Sequence, residues 1–112
     1  MPKPAARASS RYSREAIALL GQTIRLKRIE QRIPAASLAE RAGLSRALLR
    51  RIERGDPGCG IGAVFEVAAI LGVPLFEADR ARLSTHLAHA GEKLTLLPKT
   101  ARLPQKAVKD DF

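Results

Sequence analysis

The chain has 112 residues, 20 lysines and arginines against 11 acidic residues, and a formal net charge of +9. That length suggests one domain with a small core, and a core rich in Leu, Ile, Val and Ala favours helices. The single cysteine, Cys59, excludes an intrachain disulfide and is typical of a reducing cytoplasm. No apolar run is long enough to span a membrane, and residues 1–14 lack the apolar stretch of a secretory signal.

The positive charge is unevenly distributed along the chain. Basic residues are concentrated in residues 1–60 and 93–112, whereas residues 61–92 carry more acidic than basic side chains. This division indicates a protein with one face for nucleic acid. For the basic C-terminal segment, three interpretations stay open: a segment that serves solubility, a strand exchanged across a dimer, or a segment that docks on a partner.

Apolar residues at helical spacing, interrupted by glycine and proline, predict an all-α fold with five helices. The predicted helices span about residues 13–33, 35–42, 46–54, 61–71 and 79–90. Residues 1–12 are expected to form a flexible basic arm, residues 13–92 the folded helical domain, and residues 93–112 a C-terminal tail.

Individual residues predict where these helices begin and end. Pro34 suits the first position of the second helix, Gly43 is typical of a helix C-terminus, and Ser45 is a good N-cap for the third helix. In the tail, Leu94–Leu97 has the composition of a short strand, and Pro98 would end it.

Two short helices joined by Ala-Gly-Leu-Ser have the spacing of a helix-turn-helix. In that motif the second helix enters the major groove of DNA, and its N-terminal half reaches the base edges. The alternative interpretation is a solvated helix face that happens to be rich in arginine. The predicted base contacts are Arg46, Ala47 and Arg51, and the predicted phosphate contacts are Arg25, Ser45, Arg50 and Arg54.

Residues 20–76 resemble the Xre/Cro-type helix-turn-helix family, which includes lambda-repressor-like DNA-binding domains. The resemblance is carried by AERAGLSRALLRRIERGDPG and IGAVFEVAAILGVPLF. It implies a five-helix domain that binds double-stranded DNA. It also implies that Arg28, late in the first helix, pairs with Glu53 at the end of the third. A buried pair of this kind is first a structural device.

The chain departs from the family pattern in two places. The second helix of the family usually opens with Thr-Gln, and the glutamine clamps a phosphate; here Pro34-Ala35 stands instead. That contact must be lost, and nearby arginines, among them Arg32, are candidates to replace it. The other departure is Leu48, which either contacts DNA or packs in the core.

A narrower resemblance covers the segments SRYSREAIALLGQTIRLKR, RIERGDPGCGIGAVFEVAAILGVPLFEAD and KLTLLPKTARLPQKAVKDDF. They are similar to HipB-like antitoxins, which are encoded beside HipA-like serine/threonine kinase toxins. The resemblance implies a cytoplasmic, nucleoid-associated homodimer that binds a palindromic operator, represses its own operon and holds the kinase inactive. Two alternatives remain: a stand-alone Xre-type repressor, or an adaptor that uses the motif for protein contacts and does not bind DNA.

No catalytic constellation or phosphate-binding glycine loop is present, so neither an enzyme nor a cofactor is predicted. His86 and His89 lack further ligands nearby and are expected on a solvated helix face rather than at a metal. Apolar residues late in the chain are the candidates for dimer or partner contacts. These are Val73, Leu75, Phe76, Leu94, Leu96 and Phe112. For Val73, Leu75 and Phe76 the alternative is a place in the core, and a mixture of the two is expected.

Overall fold

The computed structural model describes residues 9–76 and 79–101. Within these ranges the chain forms five helices, which confirms the all-α prediction. The chain divides into two units, residues 1–77 with the first four helices and residues 78–112 with the fifth. The helices are α1 (Arg11–Glu30), α2 (Ala35–Ala42), α3 (Arg46–Glu53), α4 (Ile61–Leu71) and α5 (Arg80–Leu96).

Helix α1 begins two residues earlier than the sequence predicts. The Ser10 hydroxyl accepts a hydrogen bond from the Ser13 backbone N–H at 3.0 Å, which caps the helix. Residues 11 and 12 therefore belong to α1 and not to the predicted flexible arm, of which residues 1–8 lie outside the described residues. The helix also ends early, at Glu30, and the left-handed backbone of Arg32 (φ 59°) turns the chain toward α2.

The turn between α2 and α3 is built from local backbone chemistry. Gly43 adopts φ 72°, and its N–H reaches back to the carbonyls of Ala39 and Glu40. Two residues later, the Ser45 hydroxyl accepts the Leu48 backbone N–H at 3.0 Å and starts α3. Pro34 lies one position before α2, at its N-cap, and supplies no side-chain cap.

The core of the first unit is aliphatic and is assembled from α1 to α4. Among the described residues, no polar or charged residue is buried. Burying each large aliphatic side chain contributes about 1.5–3 kcal/mol. Leu48 is half-buried and packs against this core, which decides between its two predicted roles in favour of packing. The buried set is Ile24, Leu38, Ala39, Leu49, Ile52, Val67, Ala68, Leu71 and Val73.

Two glycines let α1 lie directly against the end of α3. A Cβ atom at Gly21 would stand 2.5 Å from the carbonyl oxygen of Ile52. A Cβ atom at Gly55, which has φ 78°, would stand 2.8 Å from the Cα of Ala18. Backbone therefore meets backbone at this crossing, and α1 fixes the position of α3.

The predicted strand at Leu94–Leu97 is wrong. Residues 94–96 form the last turn of α5. At the N-terminal end of the same helix, the Asp79 carboxylate accepts the Arg82 backbone N–H at 2.8 Å and caps the helix. An isolated strand would leave its backbone groups without partners, whereas a helix satisfies them within the segment. Pro98 forces Leu97 into an extended conformation (ψ 158°) and ends the helix there. The predicted tail thus begins inside a helix.

Helix α5 contributes no buried residue. The exposed fraction of its leucines ranges from 38% for Leu83 to 84% for Leu96. None of the described helices is both long enough and apolar enough to cross a membrane.

The predicted dimer or partner residues separate into three groups. Val73 is only 6% exposed and belongs to the core, so its assignment to a contact surface is corrected. Leu75 is half-buried and packs against the same core. Phe76 is 76% exposed, and its ring meets the edge of Phe65 at a centroid distance of 6.4 Å. Leu94 and Leu96 are exposed on α5, and Phe112 lies outside the described residues.

Candidate nucleic-acid interface

Helix α3 forms one wall of an open groove of about 720 Å³, with α1 and the start of α2 on the other sides. Five arginines and a single carboxylate line it, so its field is strongly positive. The other lining residues are apolar and lie at the start of α2 and on α3. The lining residues are Arg25, Arg28, Pro34, Ala35, Ala36, Arg46, Leu49, Arg50, Glu53 and Arg54.

Glu53, whose carboxylate lines the groove, forms an ion pair with Arg28. Arg28 donates from Nε to Glu53 Oε2 at 2.7 Å and from Nη2 to Oε1 at 3.1 Å. A further bond from Arg28 Nη1 reaches the carbonyl of Ile33 at 3.0 Å. The hydrogen bonds to Glu53 raise the pKa of Arg28 above its ordinary value. The pair joins α1 to α3, and the bond to Ile33 adds the turn before α2. Arg28 is therefore not available as a free cation for an external anion.

Three arginines of the groove have no carboxylate partner among the described residues. Arg46, Arg50 and Arg54 are exposed and follow one another at four-residue spacing along α3 and its C-cap, which puts them on one side of the helix. In the part of the chain that the structure describes, none of them forms an ion pair. Arg25 is also exposed, with its Nε at 3.9 Å from Glu53 Oε1. Anions that enter the groove therefore meet a row of available guanidinium groups.

The structure does not bring Arg51 into this groove. Its Nε donates to Asp56 Oδ2 at 2.8 Å, and Asp56 Oδ1 accepts the backbone N–H of Gly58 at 2.8 Å. Arg51 thus extends over the loop that leads to α4. Because successive residues of a helix are rotated by about 100°, Arg50 and Arg51 lie on different sides of α3.

The Arg51–Asp56 contact predicts a change in carboxyl titration. The hydrogen bond from Arg51 lowers the pKa of Asp56, with a smaller contribution from the Gly58 N–H. In the variant Arg51→Gln, we expect the midpoint of the Asp56 carboxyl resonance to move upward. Since the folded-state pKa is the lowered one, whatever this contact adds to stability is present above the ordinary pKa and is lost as pH falls through the lowered value. An unchanged midpoint would show that Arg51 does not set it.

Ala47 and Ser45 stand at the start of α3, where a recognition helix meets DNA. Both are exposed. The Ser45 oxygen accepts the capping hydrogen bond, so its hydroxyl proton remains available to an external acceptor. At the start of α2, the first N–H groups have no intrahelical acceptor and no side-chain cap. The small side chains of Ala35 and Ala36 leave that helix end open to the groove.

Two structural contacts near the site were not anticipated from the sequence. Asp56 opens an Asp-Pro-Gly segment, where aspartate often bonds the backbone two residues on, but the sequence does not indicate its contact with Arg51. Gln31 Nε2 donates to the carbonyl of Leu71 at 2.7 Å and ties the end of α1 to the end of α4. No local signal marks that pairing. Across residues 9–76 and 79–101, no three His, Cys, Asp or Glu side chains come together as a metal site.

A family model described as a helix-turn-helix domain matches residues 19–83, which is more than half of the chain. The chain belongs to this helix-turn-helix family. The match includes every residue that lines the groove. It supports the Xre-like assignment and indicates a DNA-binding regulator. Among curated proteins, the chain has no significant match.

Proposed function

We propose that the protein is a sequence-specific transcriptional repressor that binds a palindromic operator as a homodimer. The observation that carries the proposal is the row of available arginines beside α3. If these arginines only kept a helix face in water, they would not need to line one groove whose other residues are mostly apolar. Two recognition helices about 34 Å apart would read successive turns of the duplex.

The groove geometry supports distinct roles for its side chains. Arg46 and Ala47, in the first turn of α3, are the proposed base-reading residues: a guanidinium suits guanine, and a methyl group suits thymine. Phosphate contacts are assigned to Arg25, Ser45, Arg50 and Arg54. Arg51 is exposed, but it would have to release Asp56 before it could contact DNA. It is therefore a weaker candidate for base contact than its position on α3 suggests.

A binding assay tests this proposal after selection of a preferred duplex from random sequence. Arg46→Ala is expected to relax discrimination at one base pair by about 1–3 kcal/mol, roughly 5- to 150-fold. Arg54→Ala is expected to weaken all sequences alike and to reduce the salt slope by about one. Arg41→Ala, an exposed arginine of α2 outside the groove, is the matched control and should leave both quantities unchanged.

Other outcomes would count against these roles. Equal losses on selected and scrambled duplexes for Arg46→Ala would remove it from the base-reading set. The absence of binding to any duplex at low salt would favour the adaptor alternative, for which the Pro34-Ala35 departure is the support.

The finer proposal is that this repressor is a HipB-like antitoxin in the cytoplasm, with a HipA-like kinase as its protein partner. The outward side of α1 supports a protein contact, since it exposes large apolar side chains in a row. Their exposed fractions are 81% for Tyr12, 64% for Leu19, 61% for Leu26 and 51% for Ile29. Spacings of seven and three residues place them on one face, away from the buried Ile24.

The kinase proposal is tested with the HipA-like protein encoded next to this gene, if such a gene exists. Leu19→Glu and Leu26→Glu should abolish the complex, whereas Glu66→Gln on exposed α4 surface should not. A stand-alone repressor would have no such neighbour and would give no complex.

A further inference from the structure

The C-terminal end of α3 places residue 56 directly beside residue 51. Gly55 turns the chain with φ 78°, and the Asp56 backbone N–H then donates to the Arg51 carbonyl at 3.0 Å. This is the Schellman arrangement of a helix end, in which the residue two positions past the C-cap lies against the third residue from the end of the helix. The side-chain contact between those two positions is often apolar. Here it joins two opposite charges.

The loop after α3 orients the Asp56 carboxylate for this contact. Its Oδ1 accepts the Gly58 backbone N–H, and its Oδ2 accepts from Arg51 Nε, both at 2.8 Å. Gly58 also leaves space for the guanidinium, because a Cβ atom there would stand 3.2 Å from Arg51 Nη2. The side chains of Arg51 and Asp56 are 48% and 38% exposed, so both are partly shielded from water. A carboxylate fixed in this way loses little freedom when it pairs, which favours the contact over an unrestrained surface pair.

We propose that Asp56 determines which arginines of the recognition helix contact DNA, because it binds Arg51 in the manner of a phosphate and excludes it from the contacting set. The inference rests on the proposed function and specifies how that interface is limited. A guanidinium forms the same kind of charge-assisted hydrogen bonds with a carboxylate as with a phosphate. Asp56 is therefore an internal competitor of the duplex for Arg51.

The charge of the pair explains why the duplex gains little by taking Arg51 from Asp56. A protein cation that neutralises a phosphate releases a counterion from DNA, and this release drives much of the binding. If Arg51 moved to a phosphate, the Asp56 carboxylate would be left without its partner beside a polyanion and would attract a cation from solution. The exchange therefore gives no net release of counterions.

The experiment measures the salt dependence of binding of the whole protein to the selected duplex and to a scrambled one. Asp56→Asn keeps a side-chain oxygen that can accept the Gly58 N–H, but it removes the charge that binds Arg51. Arg51 should then reach a phosphate, and the salt slope should steepen by about 0.9. Between 200 mM and 50 mM salt, the affinity of Asp56→Asn relative to the wild type should consequently rise by about 3.5-fold on both duplexes.

Two further variants separate the release of Arg51 from a simple change in net charge. Glu40→Gln makes the same change in net charge on the exposed surface of α2 and should leave the salt slope unchanged. The double variant Arg51→Gln/Asp56→Asn removes both members of the pair and keeps the net charge of the wild type. Because Arg51 makes no contact with DNA in the wild type, the double variant should match the wild type in affinity and in salt slope.

The outcomes separate this inference from the proposed function. An unchanged slope in Asp56→Asn, or an equal change in Glu40→Gln, overturns the inference. A double variant that binds more weakly than the wild type would mean that Arg51 already contacts DNA, and one that retains the gain of Asp56→Asn would mean that the gain does not come from Arg51; either result overturns it. In all these cases, binding of the wild type to the selected duplex keeps the repressor. Failure of the wild type to bind any duplex overturns the repressor, and the inference that rests on it with it.

Discussion

Replacing Glu53 with alanine is expected to lower the free energy of unfolding by about 3 kcal/mol. The Glu53 side chain is 8% exposed and that of Arg28 is 13% exposed, so water replaces the lost partner only poorly. Arg28 would keep its charge and the bond to the Ile33 carbonyl but lose both carboxylate contacts. An unpaired charge in such a place costs much more than the intact pair contributes.

Urea unfolding measures this loss, and the chain supplies a matched control. Glu30→Ala removes a carboxylate that is 64% exposed and stands 3.9 Å from Lys27. An exposed pair of that kind contributes about 0–1 kcal/mol, so the control should change little. If Glu53→Ala and Glu30→Ala were equally mild, the Arg28–Glu53 pair would not be a structural device.

Gly21→Ala is the second substitution with a large expected effect. It should lower the free energy of unfolding by about 2 kcal/mol. Alanine favours a helix over glycine by up to about 1 kcal/mol. At Gly21 the added methyl would stand 2.5 Å from the Ile52 carbonyl oxygen and 3.0 Å from that of Glu53. Both neighbours are backbone and cannot rotate away, so α1 and α3 must separate, and overpacking of this type costs about 1–3 kcal/mol.

Gly62→Ala in α4 is the control for that substitution. A Cβ atom at Gly62 would have no neighbour within 4 Å, so the change should be neutral or slightly stabilising. Thermal unfolding distinguishes the two, since 1 kcal/mol corresponds to several degrees in Tm for a domain of this size. Equal Tm values would mean that α1 and α3 are not in direct backbone contact.

The parts of the fold that the sequence predicted are those determined by neighbouring residues. Helices α2 and α4 have the predicted bounds, because Gly43 and Gly72 end them in the left-handed conformation. The cap at Ser45 is likewise a contact over three residues. Membership of the helix-turn-helix family accounts for the arrangement of these elements.

The incorrect assignments depend on contacts that the sequence does not display. Leu94–Leu97 looked like a strand because a short apolar run has no clear period, and only the preceding turns of α5 decide it. Val73 follows α4 at a position that either faces outward or folds back, and its backbone N–H bonds the Ala68 carbonyl at 2.9 Å. The contact of Arg51 with Asp56 was not visible in the sequence either, because its partner follows the helix, and base contact by Arg51 stays a prediction.

The closure of the first unit's core at Val73 has an evolutionary consequence. Among the described residues, every buried one lies at or before that position, so no substitution in α5 replaces a residue of this core. Selection can therefore change residues of α5 without changing any residue of this core or of the groove. Two such proteins that diverged only after residue 77 would keep the same core and the same groove-lining residues.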